Sequence, residues 1–188
     1  MKFSMSAALC VFAWAALPVY AGDLSGSIAH HKQMVGYGSN PADCGGSPCL
    51  LPEDRARLDV LGAPIRSASD LRIYLSTTPG ELSPLEKLSP GAKQRFLASL
   101  FFNESGLVSY DYSDLARELA ASDIYRIMSL FGAQRTVPLM KGLRIQTVMD
   151  ELSVTQPRLQ MIDDHEAYRC IGGHNCVHTP GMICMSGC

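Results

Sequence analysis

The segment CIGGHNCVHTPGMICMSGC, residues 170–188, holds four of the seven cysteines in the chain, and the fold is read outward from it. Cys170, Cys176, Cys184 and Cys188 are separated by short runs rich in Gly and His, with too few large apolar side chains to hold a shape by burial alone. Pairing the sulfurs supplies the missing constraint. Closing loops of this size stabilises a chain by about 2–3 kcal/mol each. The remaining cysteines are Cys10, Cys44 and Cys49.

The other end of the chain sets the chemistry of these sulfurs. Lys2 precedes an uncharged apolar run from Ser6 to Pro18, and Val19-Tyr20-Ala21 places small residues where a signal peptidase reads. Residues 1–21 therefore read as a signal peptide of bacterial type, which places the mature chain in the periplasm or outside the cell. Cys10 leaves with the signal, and six cysteines remain in a compartment where thiols oxidise. Six cysteines allow fifteen pairings. An even number in each half suggests Cys44 with Cys49 around Gly45-Gly46-Ser47-Pro48, and internal pairing of the four tail cysteines.

Residues 22–51 are rich in Gly, Ser, Pro and Asn without periodicity and read as an irregular arm. Residues 52–162 read as a helical core. Pro52, with Glu53 and Asp54 in the first turn and Gly62 and Pro64 at the end, marks one helix. Leu71, Ile73 and Leu75 alternate with Arg72 and Tyr74, which favours a strand, although Ser69-Asp70 would suit a helix cap. Ser89 and Pro90 open a helix whose stripe of Phe96, Leu97, Leu100 and Phe101 runs to Asn103. Leu107 to Tyr112 reads as a strand pairing with the earlier one. Helical segments follow from Ser113 and from Ser122 to Gly132. A final helix from Thr136 through Leu152, apolar nearly all round, is expected in the centre of the fold. Residues 163–188 form the cysteine-rich tail. The expected fold is thus mainly α: one small helical domain with at most one short two-stranded sheet, stapled at its C-terminus.

Lys and Arg number 16 against 18 Asp and Glu, for a net charge of −2. This balance lacks the basic face that binds nucleic acid by releasing counterions. After the signal no uncharged window approaches the ~20 residues of a membrane span. No P-loop, dinucleotide fingerprint or nucleophile elbow is present, and no cofactor is expected.

Three constellations carry chemistry in principle. His174 and His178 flank Cys176, as in a zinc knuckle, but structural zinc ligands come in pairs two to four residues apart and the tail cysteines do not. His165-Glu166 begins like a zinc-protease helix, yet Arg169 stands where the second histidine belongs; Asp163, Asp164 and Glu166 read instead as a solvated acidic turn. Phe102-Asn103-Glu104-Ser105-Gly106 places Glu104 at the end of an apolar helix, where a half-buried carboxyl acts as a general acid. Glu104-Ser105 resembles the start of the catalytic motif of lysozyme-like transglycosylases. The Gly-Leu-Met-Gln segment that follows in that family is missing here, and the resemblance implies a peptidoglycan-cleaving enzyme using Glu104.

Elimination therefore favours a non-enzymatic exported protein whose cysteine-locked tail or loops contact another protein or an envelope component, for instance to inhibit or neutralise it. A peptidoglycan hydrolase or transglycosylase, and a metal-binding periplasmic protein, are the alternatives. A binding module predicts an exposed apolar or aromatic patch near the tail; an enzyme predicts a cleft in which Glu104 meets a second polar group.

Overall fold

Four strands, β1 (Phe101–Asn103), β2 (Gly106–Asp111), β3 (His165–Gly172) and β4 (Asn175–Cys184), form one antiparallel sheet in the order β1-β2-β4-β3 in the computed structural model, which describes residues 52–155 and 163–188. These residues all belong to one compact unit, Cys44–Cys188. The expected signal peptide, the expected arm and the expected pairing of Cys44 with Cys49 fall outside the described residues. No helix among those described is long and apolar enough to cross a membrane.

The sheet corrects the mainly α expectation, and the correction has two sources. First, the supposed tail is a long hairpin of β3 (His165–Gly172) and β4 (Asn175–Cys184), joined through Gly172, Gly173 and His174, all at positive φ. Second, the apolar stripe after Ser89 does not stay helical. The helix α3 ends at Ser99, and β1 (Phe101–Asn103) turns directly into β2 (Gly106–Asp111). Strand β4 then joins β2, setting Ser109 opposite Cys184 and Tyr110 opposite Ile183. The Ser109 hydroxyl donates to the Ile183 carbonyl and accepts from the Cys170 N–H, linking three strands through one buried side chain.

Capping decides the helices. Helix α1 spans Pro52–Gly62, where Pro and Gly place it. Residues Ala68–Thr77 are helix α2, not a strand: the Ser67 hydroxyl accepts from the Asp70 N–H, and the Asp70 carboxylate accepts from the Arg66 N–H. These reciprocal bonds satisfy two otherwise orphaned donors and outweigh the period-two pattern. Helix α3 (Pro90–Ser99) is capped by Ser89. Helices α4 (Ser113–Glu118) and α5 (Ala121–Ser129) follow the strand.

The expected long helix after Thr136 is two separate elements. Gln134–Leu139 is a 3-10 turn containing Pro138, and α6 begins only at Val148, ending at Val154. Gly142, at φ 74°, lies between them. The first element does lie in the core, with Thr136, Val137 and Met140 buried, but α6 does not. Val148, Met149 and Leu152 are 71%, 58% and 58% exposed, while the buried side of α6 carries Asp150 and Ser153. Asp150 explains this inverted polarity. Its Oδ2 accepts from the N–H groups of Gln146 and Thr147 and from the Thr147 hydroxyl, and its Oδ1 accepts from the Ser122 N–H in the first turn of α5. Two helix starts share one carboxylate, whose proton affinity is held far below the usual range, first by its hydrogen bonds to Ser122.

The main core joins Phe96 of α3, Tyr110 of β2, Ile124, Ile127 and Met128 of α5, and Phe131. Phe96 packs edge-on against Tyr110 and Phe131, with centroids 6.3 and 6.1 Å away. The Tyr110 hydroxyl is buried on Thr136, and that burial pushes its pKa well up. Gly132, at φ 66°, lets α1 dock: a Cβ there would sit 2.6 Å from Val60 Cα. A second, smaller cluster holds Val108 with Cys170, Cys184 and Cys188.

Candidate binding surface on the C-terminal hairpin

The four tail cysteines pair among themselves, Cys170 with Cys188 and Cys176 with Cys184. Strand register places Cys170 directly across from Cys176, but each sulfur instead bonds to a residue nearer the C-terminus. The Cys188 carbonyl accepts from the His174 N–H, so the chain end is also tied to the hairpin turn. The Asn175 side-chain amide closes that turn on the carbonyls of Gly172 and Gly173.

A break in register divides the hairpin. Glu166 pairs with Ile183, whereas Tyr168, two residues on, pairs with His178, which leaves Thr179–Met182 as a bulge in β4. Pro180 has no N–H to lose from the ladder. Gly181 comes so close to α4 that a Cβ would overlap the Ser113 hydroxyl, and its carbonyl accepts from the Tyr112 N–H. The bulge thus anchors the base of the hairpin and re-aims its distal half.

That distal half is apolar and aromatic in the open. Tyr168 packs edge-on between His165 and His178, at centroid distances of 5.9 and 5.5 Å. All three are exposed, as are Arg169, Ile171 (59%) and Val177 (42%). Beside them runs a groove of about 590 Å³ walled by Leu100, Phe101, Ile171 and Met182, with Asp111 and Arg169 among its lining residues.

Ion pairs fix the base. The Arg135 and Asp164 side chains are only 9% and 6% exposed and are joined by Nε–Oδ2 and Nη2–Oδ1 contacts of 2.9 and 3.3 Å; Asp164 also accepts from the Ser186 N–H. Glu166 accepts from the Tyr112 hydroxyl at 2.9 Å and pairs with Lys141 at 2.7 Å. Lys141 and Tyr112 hold the Glu166 carboxyl below its ordinary range, while burial raises the Tyr112 phenol. Asp164 and Glu166 are therefore structural anchors, not members of a solvated acidic turn.

The sequence-derived candidates are scattered. Glu104 is not at a helix end: it sits exposed in the tight turn between β1 and β2, where the Asn103 side chain accepts from the Ser105 N–H and donates to the Gly187 carbonyl. His174 occupies the hairpin turn and His178 stacks on Tyr168. The densest set of potential metal ligands among the described residues is Cys170, Cys184 and Cys188, whose sulfurs lie within 4.8 Å of one another; all three are committed to disulfides. Tyr168 and the groove are absent from the sequence-derived candidates. The signal was there in two runs rich in Tyr, Ile, Val and Thr around Gly-Gly-His-Asn, a hairpin pattern masked by the cysteines.

No protein-family model, no curated protein and no solved structure matches the chain.

Proposed function

We propose that the protein is a non-enzymatic binding module of the periplasm or the cell exterior, and that the distal half of its disulfide-locked hairpin is the surface that contacts a partner protein. The observation that carries this reading is the exposed set Tyr168, Ile171 and Val177, flanked by His165 and His178 and continuous with the groove under Ile171. Burying large apolar side chains at an interface is favourable by about 25 cal/mol per Å². Two disulfides lower the ordering cost of presenting them. Arg169 and Asp111 add polar contacts at the groove that fix orientation. A partner with an apolar side chain to fill the groove and polar groups around it fits this surface, and inhibition or neutralisation of that partner is the role such a rigid loop serves.

The test is affinity capture from the producing cell's envelope and culture fluid with three baits: the wild type, Ile171→Asp with Tyr168→Ala, and Glu104→Gln. A partner retained by the wild type and by Glu104→Gln but lost from the hairpin variant is the expected result. A partner set unchanged by the hairpin substitutions overturns the reading.

A further inference from the structure

We propose that the four tail sulfurs form a thiol–disulfide exchange site that admits a small thiol at Cys176 and moves the crosslinks inward from there, an activity separate from partner binding.

The sulfurs differ in access. Cys170, Cys184 and Cys188 are buried at 5%, 0% and 7% exposure, whereas Cys176 is only partly buried on the distal hairpin. An incoming thiolate therefore meets Cys176 first. It bonds to the Cys176 sulfur and expels Cys184 as a thiolate, since the leaving sulfur carries away the electron pair of the broken bond.

Cys184 is then placed to act as nucleophile. Its sulfur lies within 4.8 Å of both sulfurs of the neighbouring Cys170–Cys188 bond, so one side-chain rotation brings it into contact. The direction of attack follows from the leaving group. The Gly172 N–H points at the Cys170 sulfur from 3.4 Å and stabilises negative charge there; a better-stabilised thiolate leaves faster. Cys184 accordingly attacks the Cys188 sulfur, forms Cys184–Cys188 and releases Cys170. The turn closed by the Cys188 N–H on the Met185 carbonyl already folds the chain end back toward Cys184.

The released Cys170 faces Cys176 across the hairpin. It attacks the Cys176 sulfur, forms Cys170–Cys176 and expels the original thiol as its thiolate. The sum is an exchange of Cys170–Cys188 and Cys176–Cys184 for Cys170–Cys176 and Cys184–Cys188. No electrons are gained or lost and the external thiol is regenerated. Cys188 is thereby released from the hairpin strand β3. With a dithiol, the second thiol can instead clear Cys176, leaving Cys176 and Cys170 reduced and the dithiol oxidised.

The native protein is incubated with reduced glutathione, quenched in acid at successive times, alkylated and digested without reduction, and the tail peptides are read by mass spectrometry. The expected early species carries glutathione on Cys176, a Cys184–Cys188 bond and an alkylated Cys170. Adducts at Cys176 exceed those at the other three positions by roughly tenfold or more. The expected late species has Cys170–Cys176 with Cys184–Cys188 at unchanged mass. Glutathione on Cys176 with Cys184 alkylated and Cys170–Cys188 intact as the species that persists to the latest times overturns the proposal, and so does an unselective mixture of pairings.

Discussion

The Arg135 and Asp164 side chains meet as a nearly buried two-point ion pair, 2.9 Å at its shorter contact, that ties the 3-10 turn containing Pro138 to the root of the C-terminal hairpin. Because Asp164 also holds the Ser186 N–H, one carboxylate anchors both the start of β3 and the chain end beyond β4.

Removing one member of a buried pair leaves the other charge uncompensated. Asp164→Ala is expected to cost about 3–5 kcal/mol in denaturant unfolding, while Arg135→Met combined with Asp164→Leu recovers most of that loss. A double variant as unstable as the single one would show that the pair does more than neutralise charge.

Asp150 and Leu152 lie on one short helix and should respond in opposite ways to removal. Asp150→Ala strips the caps from α5 and α6 together and lowers the melting temperature by roughly 5 °C or more. Leu152→Ala, on the exposed side, shifts it by about 1 °C or less. Differential scanning calorimetry of the two variants checks this directly.

Acid stability follows from the depressed carboxyls. Asp114, held down first by its hydrogen bond from Arg95, and Asp150 and Glu166, held down by their own hydrogen bonds, have folded pKa values below their ordinary ones of 3.8, 3.8 and 4.5. Their contribution is fully present above those ordinary values and is lost as the pH falls through the folded ones. Melting temperature should therefore hold steady from neutral pH to about pH 5 and then fall, with a shallower fall in Asp150→Asn.

Asp59 acts in the opposite sense. Burial is the largest influence on it and raises its pKa, so its charge at neutral pH opposes folding. Asp59→Asn should raise the melting temperature at pH 7, and the gain should shrink as the medium is acidified and the wild-type carboxyl takes up its proton.

Gly132 provides a steric test. Its positive φ and the backbone of Val60 leave no room for a side chain. Gly132→Ala is expected to cost at least about 1–3 kcal/mol by urea titration. A control at Gly142, also at positive φ but with no atom near its absent Cβ, isolates the contribution of the close approach.

Proline and glycine punctuation is legible in the sequence at several element boundaries. Ser89-Pro90 starts α3, Pro52 and Gly62 bound α1, and the strand read after Gly106 is β2. Long-range pairing was not legible. Nothing near Ser109 announces that Cys184, from the far end of the chain, lies opposite it. The dense cysteines mask the strand-forming residues between them, so that in sequence the hairpin reads as a tail. Periodicity also misled at Leu71–Leu75, where the Ser67 cap outweighed an alternating pattern, and after Thr136, where Asp150 turned α6 inside out. The candidate surface is legible only as a location: its cysteines are evident in the sequence, but the exposure of Tyr168 and Ile171 is not.

The proposed surface depends on a hairpin held in shape by its own two crosslinks. Proteolysis of freshly isolated protein under non-reducing conditions, followed by mass spectrometry, tests this most directly. Such a hairpin predicts peptides joined as Cys170–Cys188 and Cys176–Cys184 and no alkylation at these four residues when the chain is unfolded before labelling. Free thiols at these positions, or a peptide joining Cys44 or Cys49 to the hairpin, would contradict it.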